Sequence, residues 1–505
     1  MTSEAQAISG AEARRAARNA GAIAAASILS RGLQFLWQLI LVPGLGSVSY
    51  GVYGAVMAFI QVGTALPAFG MGLIVIRDVA RRPEQAGRYL TTTLFMQTLL
   101  AALTYIGLNA AAAIGGYSTE VRVFVAIAAL NLIIDILGNM CNDLLLAREH
   151  MWATAAVTVG HVVVLIALAG LGLASGYGLF GVYLGTIVAG LLRTAALWLL
   201  ALRLGIRPVF PLDRALARLL LISGAPLAFS AFLTLAYQQV DKLLTNRLLG
   251  DAETGYLTVA FIIIFGVVEL LNTTILTALY PLMSRSYGDG QQPLFGLMVE
   301  KLAFFTLVIC LPITLVISCF AAALTVPLFG EDFRPAADVL AVLIWYALIM
   351  MTGNMFQQGL LVQNRQRRVL FVRACGLVVN LTLLFILLPA MGVVGAAVTS
   401  VCAEVLVLAL WLRNFRAAGW DLWRIVPRVS RLAGVGMVSA LVMLLLREWS
   451  PVVGIAAGLL TYGAGVLFVR VLGSDDWELL DRLLSTLPGG ALLRRWYKKL
   501  PGVSS

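Results

Sequence analysis

Long apolar runs, separated by short segments rich in Arg, Gly and Asp, fill the chain almost from end to end. A helix needs ~20 apolar residues to cross a ~30 Å hydrocarbon layer, and most of these runs reach that length. Read as windows, they predict fourteen membrane-spanning helices near residues 20–42, 50–76, 90–114, 121–146, 152–173, 179–202, 219–243, 255–281, 299–326, 338–362, 371–388, 393–412, 430–446 and 451–470. No connecting segment exceeds about 20 residues, so no extramembrane domain is expected.

Several runs are polar along one side. The first span carries Ser27, Arg31, Gln34 and Gln38 at steps of three and four, which one helical face presents together. Asn131, Asp135, Asn139 and Asn142 mark the fourth span, and Ser230, Thr234, Gln238, Asp241 and Thr245 the seventh. Lys242 follows Asp241, Glu269 and Asn272 lie in the eighth span, Asn354, Gln357 and Gln358 in the tenth, and Glu404 in the twelfth. Single Asn, Gln, Ser and Thr residues in such positions serve as hydrogen-bond glue between helices. A full charge in a span costs about 2.5–3.5 kcal/mol on insertion scales, so Arg31, Asp135 and Glu269 are expected to face a hydrated chamber. Asp78, Arg77 and Arg193 are expected to reach the membrane surface by snorkelling, and His161 to be a packed core residue.

Composition narrows the class. Of 505 residues, 60% are hydrophobic and 12% charged, against ~45–50% and ~25% in soluble chains. That leaves too little polar surface to coat a water-soluble body, which excludes a cytosolic enzyme, a disordered chain and a disulfide scaffold. The five cysteines lie in apolar runs without a CxxC pair, and with only two histidines no zinc or haem site is expected. The net charge of +11 is topological and implies no nucleic acid. With the N-terminus inside, 29 of the 36 Lys and Arg residues fall in cytoplasmic segments, five on the opposite face and two within spans. Under the positive-inside rule both termini are therefore expected in the cytoplasm. The N-terminal apolar stretch resembles a signal peptide but continues past Arg31 to Val42, so it is expected to remain. Residues 475–487 are read as an amphipathic helix on the inner leaflet, followed by basic and aromatic residues.

The chain also repeats itself. LGSVSYG at 45–51 is echoed by LGDAETG at 249–255, an offset of 204 residues; Gly178–Gly181 is echoed by Gly392–Gly395 (214), and LLLAR at 144–148 by GLLVQ at 359–363 (215). The period holds six helices, an even number, so both copies enter the membrane alike, related by a two-fold along its normal. The expected fold is an all-α integral membrane protein. A cytoplasmic tail (1–19) precedes an N-lobe (20–205) and a C-lobe (206–415) of six helices each. Helices 13 and 14 (416–472) and a cytoplasmic amphipathic, basic tail (473–505) follow.

LGSVSYGVY, GLIVIRDVARRPEQAGRYL, QVDKLLTNRLLGDAETGYLTVAF, LFGEDFRPAADVL and GVVGAAVTSVCAE resemble the polysaccharide-transport branch of the MOP flippase superfamily, the O-antigen and exopolysaccharide repeat-unit flippases. The resemblance covers about residues 20–415. It implies two lobes that expose a chamber alternately to each side of the bacterial inner membrane, and an undecaprenyl-diphosphate-linked oligosaccharide as cargo. Other polysaccharide-export machinery is an expected partner beside the lipid bilayer. On that reading Arg31 meets the diphosphate with Lys242 beside it, and the Asn and Gln stripes suit sugar hydroxyls. Asp135 and Glu269 are candidate sites for a coupling H+ or Na+, with no other cofactor and no enzymatic activity expected. A peptidoglycan-precursor flippase, a multidrug cation antiporter of the same superfamily and a membrane glycosyltransferase or polymerase are the alternatives.

Overall fold

The computed structural model describes residues 10–288, 292–415 and 422–473, and every regular element among them is helical. The expected tail helix at 475–487 lies outside the described residues. In chain order the α-helices are α1 (Gly10–Ala68), α2 (Met71–Arg81), α3 (Ala86–Ile114), α4 (Thr119–Ala147), α5 (Met151–Ala174), α6 (Gly178–Arg203), α7 (Arg214–Leu249) and α8 (Asp251–Gly288). They continue with α9 (Gln292–Cys319), α10 (Ala321–Phe329), α11 (Pro335–Val362), α12 (Gln366–Met391), α13 (Val393–Asn414), α14 (Leu422–Leu446) and α15 (Pro451–Phe468). Local chemistry sets their starts. The Ser118 hydroxyl accepts from the Val121 N–H, and Asp213 accepts from those of Ala215 and Leu216 while pairing with Arg88.

These helices follow the expected spans, with three differences. The first two spans form one continuous element, α1, interrupted only at Gly46. The chain must fold back there, because Tyr50 Oη donates to Gln38 Oε1 at 3.0 Å, whereas twelve residues of straight helix would separate them by about 18 Å. The second span passes Phe69 and Gly70 into α2, a short surface helix on which Arg77 bonds Asp78 and holds its carboxyl below the usual carboxylate range. The ninth span divides into α9 and α10. Among the described residues, twelve helical stretches are long and apolar enough to cross a membrane, the first being Ile23–Ala68. Counting that hairpin twice and adding the 38-residue α8 gives the expected fourteen.

The internal repeat is written in the backbone. Left-handed φ values recur in pairs at the expected offsets: Gly46 (73°) with Gly250 (102°), Gly116 (69°) with Gly330 (94°), Glu149 (62°) with Asn364 (56°), and Gly178 (51°) with Gly392 (63°). Residues other than glycine adopt such angles infrequently, so the Glu149–Asn364 pair is the most telling. The two copies also touch reciprocally. A Cβ built on Gly51 would overlap the Asp251 carbonyl and crowd the Gly255 N–H; one built on Gly255 would overlap the Ser47 carbonyl and crowd the Gly51 N–H. Since 51 corresponds to 255 and 47 to 251, the contact is self-complementary, as a two-fold axis requires.

Two compact units form by packing. The first comprises Met1–Ile262, Leu328–Phe333 and Leu381–Ala396, so it takes in α7 and the start of α8 beside the whole first repeat. Its core holds Met71, Leu90, Leu144, Leu197 and Leu220 in one cluster, and Val56, Val121, Val125 and Tyr183 in another. The second comprises Ile263–Pro327, Arg334–Asn380 and Ala397–Ser505. There α14 and α15 pack on α9, Tyr462 Oη donating to the Val308 carbonyl (2.8 Å) and Ser439 Oγ to that of Gly458 (2.7 Å).

In the first unit α5 and α6 approach closely at Gly172, Gly181 and Gly185, where added Cβ atoms would meet backbone. Such small-residue seams carry helix association in lipid. Gly181→Leu is therefore expected to destabilise the purified protein by at least the ~1–3 kcal/mol of core overpacking, read as a lower melting temperature in detergent. Gly434→Ala, with nothing within 4 Å of its Cβ, should melt as wild type.

Candidate functional site

Two groups of charged side chains within the first unit's helices have polar partners on neighbouring helices. The first lies between α4 and α6. Asn131, Asp135 and Asn139 share one face of α4, each a turn from the next. Asn131 Nδ2 donates to Asp135 Oδ2 (3.0 Å), and the Arg193 guanidinium on α6 reaches Asp135 Oδ1 at 3.6 Å and donates to Asn139 Oδ1 at 2.6 Å. Two further bonds fix the helices in this register, from Thr194 Oγ1 to the Ile134 carbonyl (2.9 Å) and from Trp198 Nε1 to that of Leu137 (3.2 Å). Gly190 makes room, since a Cβ there would sit 2.5 Å from Asn131 Oδ1. That oxygen is buried and has no hydrogen-bond partner among the described residues. The Asp135 side chain is 36% exposed and that of Arg193 14%, so the carboxylate is open to a ligand while its cation is held. His161, on α5, lies half-buried with Nδ1 3.3 Å from the Ala189 carbonyl, one turn before Arg193.

Arg193 therefore does not snorkel. It stands ten residues, ~15 Å of helix, from the end of α6 and is turned inward to Asp135. An unpaired carboxylate in an apolar slab is costly, and the ion pair with two carboxamide bonds offsets that cost.

The second group centres on α7. Lys242 is 7% exposed; its Nζ donates to Gln239 Oε1 (3.1 Å) and lies 5.2 Å from the centre of the Phe261 ring. Gln239 Nε2 in turn donates to Gln61 Oε1 on α1 (2.7 Å), and Asn246 Nδ2 to Asp251 Oδ1 (2.7 Å). Asp241 is buried beside Lys242, and Gln238 is half-buried on the same turn. Lys242 is thus engaged with an amide and a ring, where the sequence reading set it beside Arg31 to meet an anion. The carboxamides that hold it, Gln61 and Gln239, were missed: the stripe through Gln238 has the right period, but α7 is polar on adjacent faces here.

Elsewhere, Arg31 and Gln34 are exposed on α1, while Gln38 is tied to Tyr50. Glu404 is almost completely buried on α13. On the neighbouring helices of that second unit, Arg373 donates to Gln357 Oε1 (2.6 Å) and lies over the Trp411 ring. Glu269 and Asn272 lie on α8, where their side chains are outside the described residues. Many span hydroxyls glue nothing between helices. Those of Thr92, Thr104, Thr158, Thr186 and Thr234 donate to the carbonyl four residues back in their own helix.

A family model described as "Polysaccharide biosynthesis protein" matches residues 45–338. An uncharacterized membrane protein of Methanocaldococcus jannaschii is 23% identical over 141 residues, 27% of this chain and 27% of that one. Among solved structures, the chain is similar in fold to the lipid II flippase MurJ in an inward closed conformation (TM-score 0.73, 13% identity, covering 89% of this chain and 98% of that one). A multidrug resistance MATE family transporter of the MOP superfamily, inward-facing, gives a TM-score of 0.62 at 15% identity, covering 76% and 94%. A MOP superfamily transporter from Pyrococcus furiosus gives 0.51 at 15% identity, covering 78% and 95%.

The Asp135–Arg193 pair generates a direct prediction. Arg193→Met is expected to lower the melting temperature more when Asp135 is present than in the Asp135→Asn background. The coupling should fall in the ~0.5–3 kcal/mol range of interacting neighbours. Additive shifts in the double-mutant cycle would mean that the pair holds nothing.

Proposed function

The chain belongs to the polysaccharide biosynthesis protein family, and on that premise we propose that it is a multi-pass membrane transporter of the MOP superfamily that carries a polyprenyl-diphosphate-linked oligosaccharide repeat unit across the inner membrane. The product pathway on this reading is an exopolysaccharide, a capsule or an O-antigen. One observation carries the proposal: a guanidinium, a carboxylate and two carboxamides converge on α4 and α6 within apolar helices, with an exposed Arg31 and Gln34 on α1.

The physical problem is the headgroup. Unpaired hydroxyls and phosphates cost several kcal/mol each in hydrocarbon, so they need a wet path lined by partners, while the lipid tail stays in the bilayer. Arg31 offers phosphate a planar donor fork. Asn131, Asn139 and Gln34 offer sugar hydroxyls both donors and acceptors. Asp135, half open beside Arg193, is the candidate for a coupling H+ or Na+ in the first unit; Glu269 and Glu404 are candidates in the second. The lobes, taken as 20–205 and 206–415, exchange access by rocking about their shared axis.

The basic-residue asymmetry supports cytoplasmic termini. The Gly51–Gly255 crossing then lies at the outer face. It is reinforced there by the Ser47 N–H, freed by the break at Gly46, which donates to Asp332 Oδ2 (2.7 Å), and by the Tyr50, Tyr256 and Phe329 rings around Phe333. On this reading it is the contact that must part to release cargo outward.

In a strain lacking the chromosomal copy, Arg31→Ala should abolish surface polysaccharide at normal protein level, and Arg31→Lys should keep part of it. Full display by the alanine variant removes Arg31 from the path. A reporter enzyme fused after Ser505 should be active in the cytoplasm; periplasmic activity overturns either the orientation or the even number of crossings.

A further inference from the structure

A cavity in the first unit lies apart from both polar groups. About 450 Å³ in volume, within the ~300–1,000 Å³ of ligand sites, it lies between α1, α3 and α7. Val62 and Leu66 of α1, Leu103 and Gly107 of α3, and Phe229 and Phe232 of α7 line it. Its wall presents almost nothing polar: the one hydroxyl there, of Thr104, donates to the Leu100 carbonyl of its own helix. Leu66, Leu103, Phe229 and Phe232 are 42–59% exposed. The slot follows the seam between the two repeats, since α1 and α3 belong to the first and α7 to the second.

One end of the slot is charged. Along α7, Arg218, Ile222, Ala225, Phe229 and Phe232 recur at steps of four and three, so they share a face. Arg218 precedes Ala225 by seven residues, ~10 Å of helix. Three arginines at this end are engaged: Arg77 pairs with Asp78, Arg88 with Asp213, and Arg148 donates to the Leu204 and Pro83 carbonyls. Arg214 and Arg218 are exposed and have no partner among the described residues. An apolar slot with two unengaged guanidiniums about two to three helical turns beyond it on the same face of α7 complements an amphiphile with a long single chain and a compact, multiply charged anion.

We propose that this slot docks the isoprenoid chain of a polyprenyl diphosphate carrier, with Arg218 and Arg214 on the diphosphate. This rests on the proposed function and deepens it. It gives the tail a fixed berth on the bilayer side of the seam, so the headgroup starts each passage from a defined place. An ordinary phospholipid presents two acyl chains and one phosphodiester charge, a poorer match to a single trough with two cations.

The test uses full-length protein in proteoliposomes and a polyprenyl diphosphate bearing a diazirine on its chain. Label is expected on the α1, α3 and α7 segments that line the slot. Unlabelled polyprenyl diphosphate should compete at least tenfold better than phosphatidylglycerol. Gly107→Phe places a ring in the slot without a clash, because nothing lies within 4 Å of a Cβ there; it should cut labelling and flipping of a polyprenyl-diphosphate disaccharide at least tenfold. Leu103→Trp is the second variant, should Gly107→Phe fail to accumulate. Equal competition by phosphatidylglycerol, or full labelling of the slot with normal flipping in both variants, overturns the proposal. A wild-type protein that labels in the slot yet flips no polyprenyl-diphosphate sugar leaves the berth standing and removes the transport reading instead.

Discussion

The contact between Gly51 and Gly255 is the constraint on which the rest depends. Each lies at the same place in its repeat, and each faces the backbone of the other copy so closely that a methyl group would not fit. Glycine is needed here for the approach itself: φ at both positions is ordinary, and the turns that deliver them are made by Gly46 and Gly250 five residues earlier. Because the contact is reciprocal, it fixes a local two-fold between α1 and the start of α8, and with it the register of the helices that follow. Ser47 and Asp332 add a charge-assisted bond at the same level. The joint thus combines backbone contacts, that hydrogen bond and the rings around Phe333, and on the proposed function it is the part that opens to release cargo.

Away from that joint, polar groups are handled in three ways, each with a different consequence. Thr92, Thr104, Thr158, Thr186 and Thr234 spend their hydroxyls on their own helices and become apolar in effect. Lys242 is buried with Gln239, Gln61 and the face of Phe261, which ties α7 to α1 and leaves the ammonium little freedom to follow a moving anion. Asp135 is different: bonded by Asn131 and Arg193, it still keeps about a third of its surface open. A group that is paired but accessible can exchange its partner for a ligand, which is why the α4–α6 pair and not the α7 cluster is taken as the working part.

Much of the fold was legible in the sequence because the bilayer enforces length and polarity so strictly. The fourteen spans and the repeat follow from apolar runs and from short glycine-bearing turns, and the turn at Glu149 and Asn364 shows the repeat where neither residue is a glycine. Partnerships were harder to read. Arg193 looked like a residue near a helix end because sequence distance says nothing of a carboxylate on another helix. Gln239 and Gln61 escaped notice because a polar run that covers two adjacent helix faces has no unique period. Lys242 was taken for an anion contact because its charge is visible in the sequence, while the ring and amide that cover it are 19 and 3 residues away on elements whose packing is not. The face of α4 is legible because Asn131, Asp135, Asn139 and Asn142 recur at steps of four and three along a mostly apolar helix.

The central claim is that water reaches the polar faces of α1 and α4 inside the membrane. Single cysteines at Gln34 and Asn139, in a protein whose five native cysteines have been replaced, test it in inside-out vesicles with a charged maleimide that cannot cross lipid. The account predicts that both positions react within minutes and that a polyprenyl-diphosphate sugar protects them. Failure of both to react with the charged reagent, while a lipid-soluble maleimide labels them freely, would contradict it.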